Sequence, residues 1–135
     1  MPTPRIDNAE RRRRYYESHG FWTQERLGWQ VFDAAERTPD REFVVIGETR
    51  LTYGQFAAAA LAVAEDMVRN GVRRGDRVLV QLPNRLEALL AQVAAFRMGA
   101  VNVPIVPIYR EHEMAHIVRD CEPSVIFSMR ENRGR

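Results

Sequence analysis

Val78-Leu79-Val80-Gln81-Leu82 is a nearly unbroken apolar run, closed by Pro83-Asn84. Strands with one wet face alternate apolar and polar side chains. A run without alternation belongs to a strand covered on both faces, as in a parallel sheet flanked by crossover helices. The neighbouring segments agree. Upstream, Phe56, Ala60, Val63, Ala64, Met67 and Val68 recur at helical spacing. Thr52-Tyr53-Gly54-Gln55 fits a capping box at the start of that helix, and Gly71 suits its C-terminal cap. Downstream, Asn84 followed by Glu87 predicts the opening of a second helix, with Leu86, Leu89, Leu90 and Val93 as its inner stripe and Gly99 at its end. Ala100–Val103 reads as a second apolar strand, and two prolines hold the loop Pro104–Tyr109 extended. A third helix is expected over Arg110–Asp120, broken by Pro123, before a last strand at Ser124–Ser128.

Toward the N-terminus the pattern changes. Trp22–Arg37 has helical spacing, with Leu27, Val31, Ala34 and Ala35 near one face, and Thr38-Pro39-Asp40 stops it. Phe43–Ile46 and Arg50–Tyr53 read as two strands joined by a Gly47-Glu48 turn. The fold class is therefore α/β: a mixed sheet of a β-hairpin plus three parallel strands, with flanking helices and right-handed crossovers. Residues 1–20 read as a basic arm, and residues 21–135 as one α/β unit.

Bulk properties narrow the function. A chain of 135 residues supports one core. With 45% hydrophobic and 28% charged residues it is of globular type, and a net charge of +2 does not argue for nucleic acid. Arg11–Arg14 beside Tyr15 and Tyr16 could touch phosphates and bases, but a single basic run is more often a solvated segment. Cys121 is the one cysteine, which excludes an internal disulfide and suits a reducing compartment; no run spans a membrane, and no secretory h-region is present. The cytoplasm is the expected location. All 20 basic residues are arginine, so no chemistry that needs a lysine ammonium can run on these residues.

His112-Glu113-Met114-Ala115-His116 matches the H-E-x-x-H pattern of zinc proteases. On a helical wheel Met114, Ile117, Val118 and Cys121 form the core face, and His112 and His116 lie opposite it. A catalytic zinc also needs a third protein ligand. After His116 only Asp120, Glu122 and Glu131 offer carboxylates, and the remaining histidine, His19, sits in the basic arm. Two solvated histidines are the expectation, with no metal site, and a zinc hydrolase is the minor alternative.

Five segments resemble one family in the right order. They are Leu51-Thr52-Tyr53-Gly54-Gln55; Gly71 to Val78, with its Gly75-Asp76-Arg77-Val78 core; Leu82-Pro83-Asn84; Met98-Gly99-Ala100-Val101-Asn102-Val103-Pro104; and Arg110-Glu111-His112-Glu113 followed by Cys121-Glu122-Pro123-Ser124-Val125-Ile126-Phe127. Gly20-Phe21-Trp22 and Ala35–Asp40 add to the likeness, which covers about residues 15–130. The family is the adenylate-forming enzymes: acyl-CoA synthetases, aryl acid–AMP ligases and their relatives. The resemblance implies part of the N-terminal subdomain of an enzyme that makes an acyl-adenylate from a carboxylic acid and ATP, then passes the acyl group to coenzyme A. It implies ATP, Mg and coenzyme A for the complete enzyme and none of them for this segment alone. The family's Ser/Thr/Gly-rich phosphate loop and its C-terminal lysine are not among these residues. The segment is thus expected to be inactive by itself, with no catalytic residue of its own. Its expected partner is the remainder of the ligase, or a second copy through an exposed sheet flank. Paired arginines after the last strand of some relatives contact coenzyme A phosphate, which makes Arg133 and Arg135 candidates for that role. Gly75-Asp76 and Pro83-Asn84 read as structural turns. A stand-alone scaffold module that pairs with a separate remainder is the other alternative.

Overall fold

A computed structural model of the chain describes residues 5–23 and 26–129. The elements run α1 (Arg5–Ser18), α2 (Trp29–Arg37), β1 (Glu42–Ile46), β2 (Thr49–Thr52), α3 (Tyr53–Arg69), β3 (Arg77–Gln81), α4 (Leu86–Met98), β4 (Val101–Pro104), α5 (Glu111–Cys121) and β5 (Val125–Ser128). The hairpin and the parallel strands are both present. They stand as two sheets: antiparallel β1-β2, and parallel β4-β3-β5.

The arm is a helix for most of its length. α1 carries the ion pairs Arg13–Glu17 at 2.9 Å and Arg14–Glu10 at 3.1 Å, each one turn apart. The helix expected from Trp22 begins instead at Trp29. Gly28 explains the difference. Its backbone is left-handed (φ 82°), and a Cβ there would lie 2.8 Å from the Phe96 Cβ. Only glycine fits that close approach, and the left-handed turn bars a helix from running through it. Leu27, expected on the apolar face, is exposed.

α3 starts as the sequence predicts. The Gln55 N–H donates to Thr52 Oγ1 at 3.3 Å, and the Thr52 N–H donates to Gln55 Oε1 at 3.0 Å. At its end, the Val72 N–H reaches Met67 O and the Gly71 N–H reaches Val68 O, with Gly71 at φ 87°. Phe56, Ala57, Ala60, Ala64 and Met67 are buried; Val68 is exposed, against expectation, because it lies on the helix's outer side. α4 departs in two ways. Arg85, not Asn84, occupies the N-cap position, and its side chain makes no cap bond; Glu87 takes the Arg85 guanidinium instead. The fully buried face is Ala91, Ala94 and Ala95, while Leu89 is exposed. Small side chains let α4 approach the sheet and α3 closely.

Two apolar clusters result. Val44, Phe56 and Ala60 anchor one, with Phe32, Ile46, Leu51, Leu86, Leu90 and Val93 against it. The other joins Ala64, Met67 and Val72 to Val78, Val80, Ala91, Ala94 and Ala95. The turn before β3 is fastened by Asp76, whose Oδ2 accepts the Arg73 N–H at 2.8 Å. That bond, then one from the Ser124 hydroxyl, holds the Asp76 carboxyl below the usual carboxylate range.

Candidate functional site

β3 is the central strand, and its side chains alternate between two faces. Val78 and Val80 point into the cluster with α4. Arg77 and Gln81 belong to the opposite face, and both tie down α5. Arg77 Nε donates to Cys121 O at 2.6 Å and Nη2 to Glu122 O at 2.9 Å; Gln81 Nε2 donates to Tyr109 O at 2.8 Å. The two ends of α5 are thus fixed to the face away from α4. It follows that β3 sends its chain to one side of the sheet and its neighbour β4 sends its chain to the other. Their loops part at the carboxyl ends of the strands, and such a topological switch point opens a crevice.

A cleft of about 680 Å³ lies there. Val80, Leu82, Leu89, Ile105 and Val106 give it apolar walls, with Ile46 of the hairpin reaching its edge. Four polar side chains converge on it: Asn84, Arg85, Gln92 and Asn102. Asn102 Oδ1 is buried and has no hydrogen-bond partner among the described residues. Arg85 is held by Glu87 through two bonds of 2.6 Å, which raise the guanidinium pKa and lower that of the Glu87 carboxyl. A second hollow, of about 500 Å³, lies between Arg85 and the end of β5, so Arg85 borders both.

The H-E-x-x-H pattern lies on α5. Along α5, Met114, Ile117, Val118 and Cys121 are half-buried, and His112 and His116 are exposed. The Glu113 carboxylate caps its own helix by accepting the Arg110 N–H at 3.1 Å. Backbone hydrogen bonds at the helix start hold its pKa down. His116 Nε2 faces Asp120 Oδ2 at 3.8 Å, one turn on. Among the described residues no three His, Cys, Asp or Glu side chains gather where they could share a metal ion. Glu113 serves as a helix cap, and both histidine side chains are exposed.

Arg133 and Arg135 lie outside the described residues. Asn84, Arg85, Gln92 and Asn102 were not singled out by sequence reasoning as site residues. The one signal was Asn102, a lone polar residue in the apolar run Val101-Asn102-Val103.

The family model of the AMP-binding enzymes matches residues 31–134. The chain belongs to the AMP-binding enzyme family. It is 36% identical, over 111 residues, to a salicylyl-CoA synthase / salicylate adenylyltransferase of a Streptomyces species, covering 82% of this chain and 20% of that protein. It is 33% identical over 122 residues to the medium-chain fatty-acid–CoA ligase of Escherichia coli K12, covering 88% of this chain and 21% of the ligase. Among solved structures, apo MbtA of Mycobacterium smegmatis superposes with a TM-score of 0.80 at 32% identity, over 93% of this chain and 23% of that one. The inhibitor-bound N-terminal domain of FACL13 from Mycobacterium tuberculosis gives 0.72 at 30% identity, over 76% of this chain and 26% of that domain. The chain thus spans about a fifth of the length of these curated AMP-binding relatives. Among the described residues no helix is long and apolar enough to cross a membrane.

Proposed function

We propose that the chain forms an N-terminal wall of an acid–thiol ligase. The complete enzyme would activate a carboxylic acid with ATP as an acyl-adenylate and then transfer the acyl group to coenzyme A. The observation that carries this reading is the family match over residues 31–134 by a chain spanning about a fifth of its relatives. The residues present do not suit ATP's phosphates. The 135 residues hold no lysine and no Gly/Ser/Thr-rich loop whose backbone N–H groups could wrap a polyanion. Adenylation is therefore assigned to segments beyond these, and the present elements position them. Edge strands β4 and β5, with Val101 and Ile126 exposed, support docking of such segments. The family resemblance supports Arg133 and Arg135 as contacts for coenzyme A phosphate. One half-buried cysteine is compatible with a cytoplasmic setting.

ATP–pyrophosphate exchange tests the reading. The 135-residue protein, given salicylate or octanoate, is expected to exchange nothing above background; acid-dependent exchange overturns the division of labour. Residues 31–134 grafted in place of the matched segment of the E. coli ligase are expected to yield acyl-CoA. A soluble, cooperatively folded graft that forms no adenylate counts against the assignment.

A further inference from the structure

We infer that the cleft between the carboxyl ends of β3 and β4 binds a small, uncharged, mainly apolar molecule bearing an amide or hydroxyl group. The inference rests on the cleft itself and not on the ligase reading. Position comes first: the β3 and β4 loops part to opposite faces of the sheet, which is where open α/β sheets take their ligands. Size agrees, because about 680 Å³ lies within the range of small-molecule sites. The walls are aliphatic, so the bulk of the ligand is apolar.

Charge decides the class. Among the described residues Arg85 is the one charged side chain lining the cleft, and Glu87 holds its Nε and Nη2 with two short bonds. Glu87 also lies in the first turn of α4 and answers that helix's N-terminal dipole. An ammonium entering the cleft would lose hydration and meet no carboxylate in the lining, and a carboxylate would have to compete with Glu87 for Arg85. A neutral polar group fares better. Asn102 Oδ1 is a buried acceptor without a donor, and the amide turns easily about its last torsion. A half-turn exchanges Oδ1 with Nδ2, so the amide can offer the cleft either its oxygen or its N–H donors. The amides of Asn84 and Gln92 can serve the ligand's own oxygen.

Hexanamide, with hexanoate as its charged counterpart, is the probe, read by ¹H–¹⁵N NMR on the full 135-residue chain. Hexanamide is expected to give saturable shifts at the side-chain amides of Asn84, Gln92 and Asn102. Hexanoate should bind about fivefold more weakly, and Asn102→Leu should weaken hexanamide by about fivefold, the worth of one net hydrogen bond. If Asn102→Leu loses its dispersed spectrum, Gln92→Met at the α4 side of the cleft carries the test, with weakening in the same direction. Hexanamide that never saturates, hexanoate that binds as well, or a Gln92→Met protein with unchanged affinity each overturn the inference. Pyrophosphate exchange plays no part, so this failure is distinguishable from failure of the ligase reading.

Discussion

Arg77→Met should loosen α5 selectively. The change keeps the aliphatic stem and removes the N–H donors that reach Cys121 O and Glu122 O. Those carbonyls end α5, where no further helical N–H is available to them. The bond to Cys121 is part-buried and 2.6 Å long, while the bond to Glu122 is exposed. A sheltered bond from a charged donor contributes about 1.5 kcal/mol, and an exposed one a fraction of that. The Glu122 carboxylate, 3.9 Å from Arg77 and well exposed, adds little. The loss is about 2 kcal/mol in all. α5 buries no residue completely, so it is placed to open before α3 and α4. Native-state hydrogen exchange should then show α5 amides exchanging about 30-fold faster, with α3 and α4 nearly unchanged. Unchanged exchange in α5, or equal acceleration in all three helices, would refute the view that Arg77 clamps this helix to the sheet.

Phe56→Ala empties the centre of the hairpin cluster, where Phe56 is 1% exposed and meets Phe43 edge-on at 5.0 Å; urea unfolding should record a loss of about 3–5 kcal/mol. Glu122 is the one described non-glycine residue at positive φ (44°), so Glu122→Gly should gain about 1 kcal/mol by urea unfolding, its carbonyl still serving Arg77. Asp76 has a depressed folded pKa, so its contribution is present above the unfolded carboxylate pKa and is lost as pH falls through the folded value. Stability measured against pH should show a shallower acid-side loss in Asp76→Asn. Zinc titration followed by calorimetry should find no stoichiometric site that depends on His112 and His116; a bound equivalent lost in the double alanine variant would reverse that assignment.

What could be read in the sequence was mostly local. The Thr52–Gln55 box is a contact between near neighbours, and it appears as read. The wheel for α5 places Met114, Ile117, Val118 and Cys121 inward because one helix face decides their exposure. α4 misled for a physical reason. Leu86, Leu90 and Val93 look like one core stripe, yet they pack on the Phe56 cluster, and alanines fill the closer contact with the sheet. Periodicity ranks side chains by size and does not report the distance between elements. Asn84 is not the cap because α4 starts one residue later, with Arg85 in the N-cap position. The cleft was hidden because it depends on strand order, and β4-β3-β5 brings Asn84 beside Asn102 and Val106. Nothing short-range in the chain announces that β4 and β5 flank β3.

α3 and α4 each belong to two clusters at once. α3 gives Phe56 and Ala60 to one and Ala64 and Met67 to the other; α4 divides Leu86, Leu90 and Val93 from Ala91, Ala94 and Ala95 in the same way. The hairpin and the parallel strands, which share no ladder, are thereby yoked like two planks nailed across the same pair of joists. Neither can come away without prising up timber the other stands on, so heat should collapse the frame in a single step.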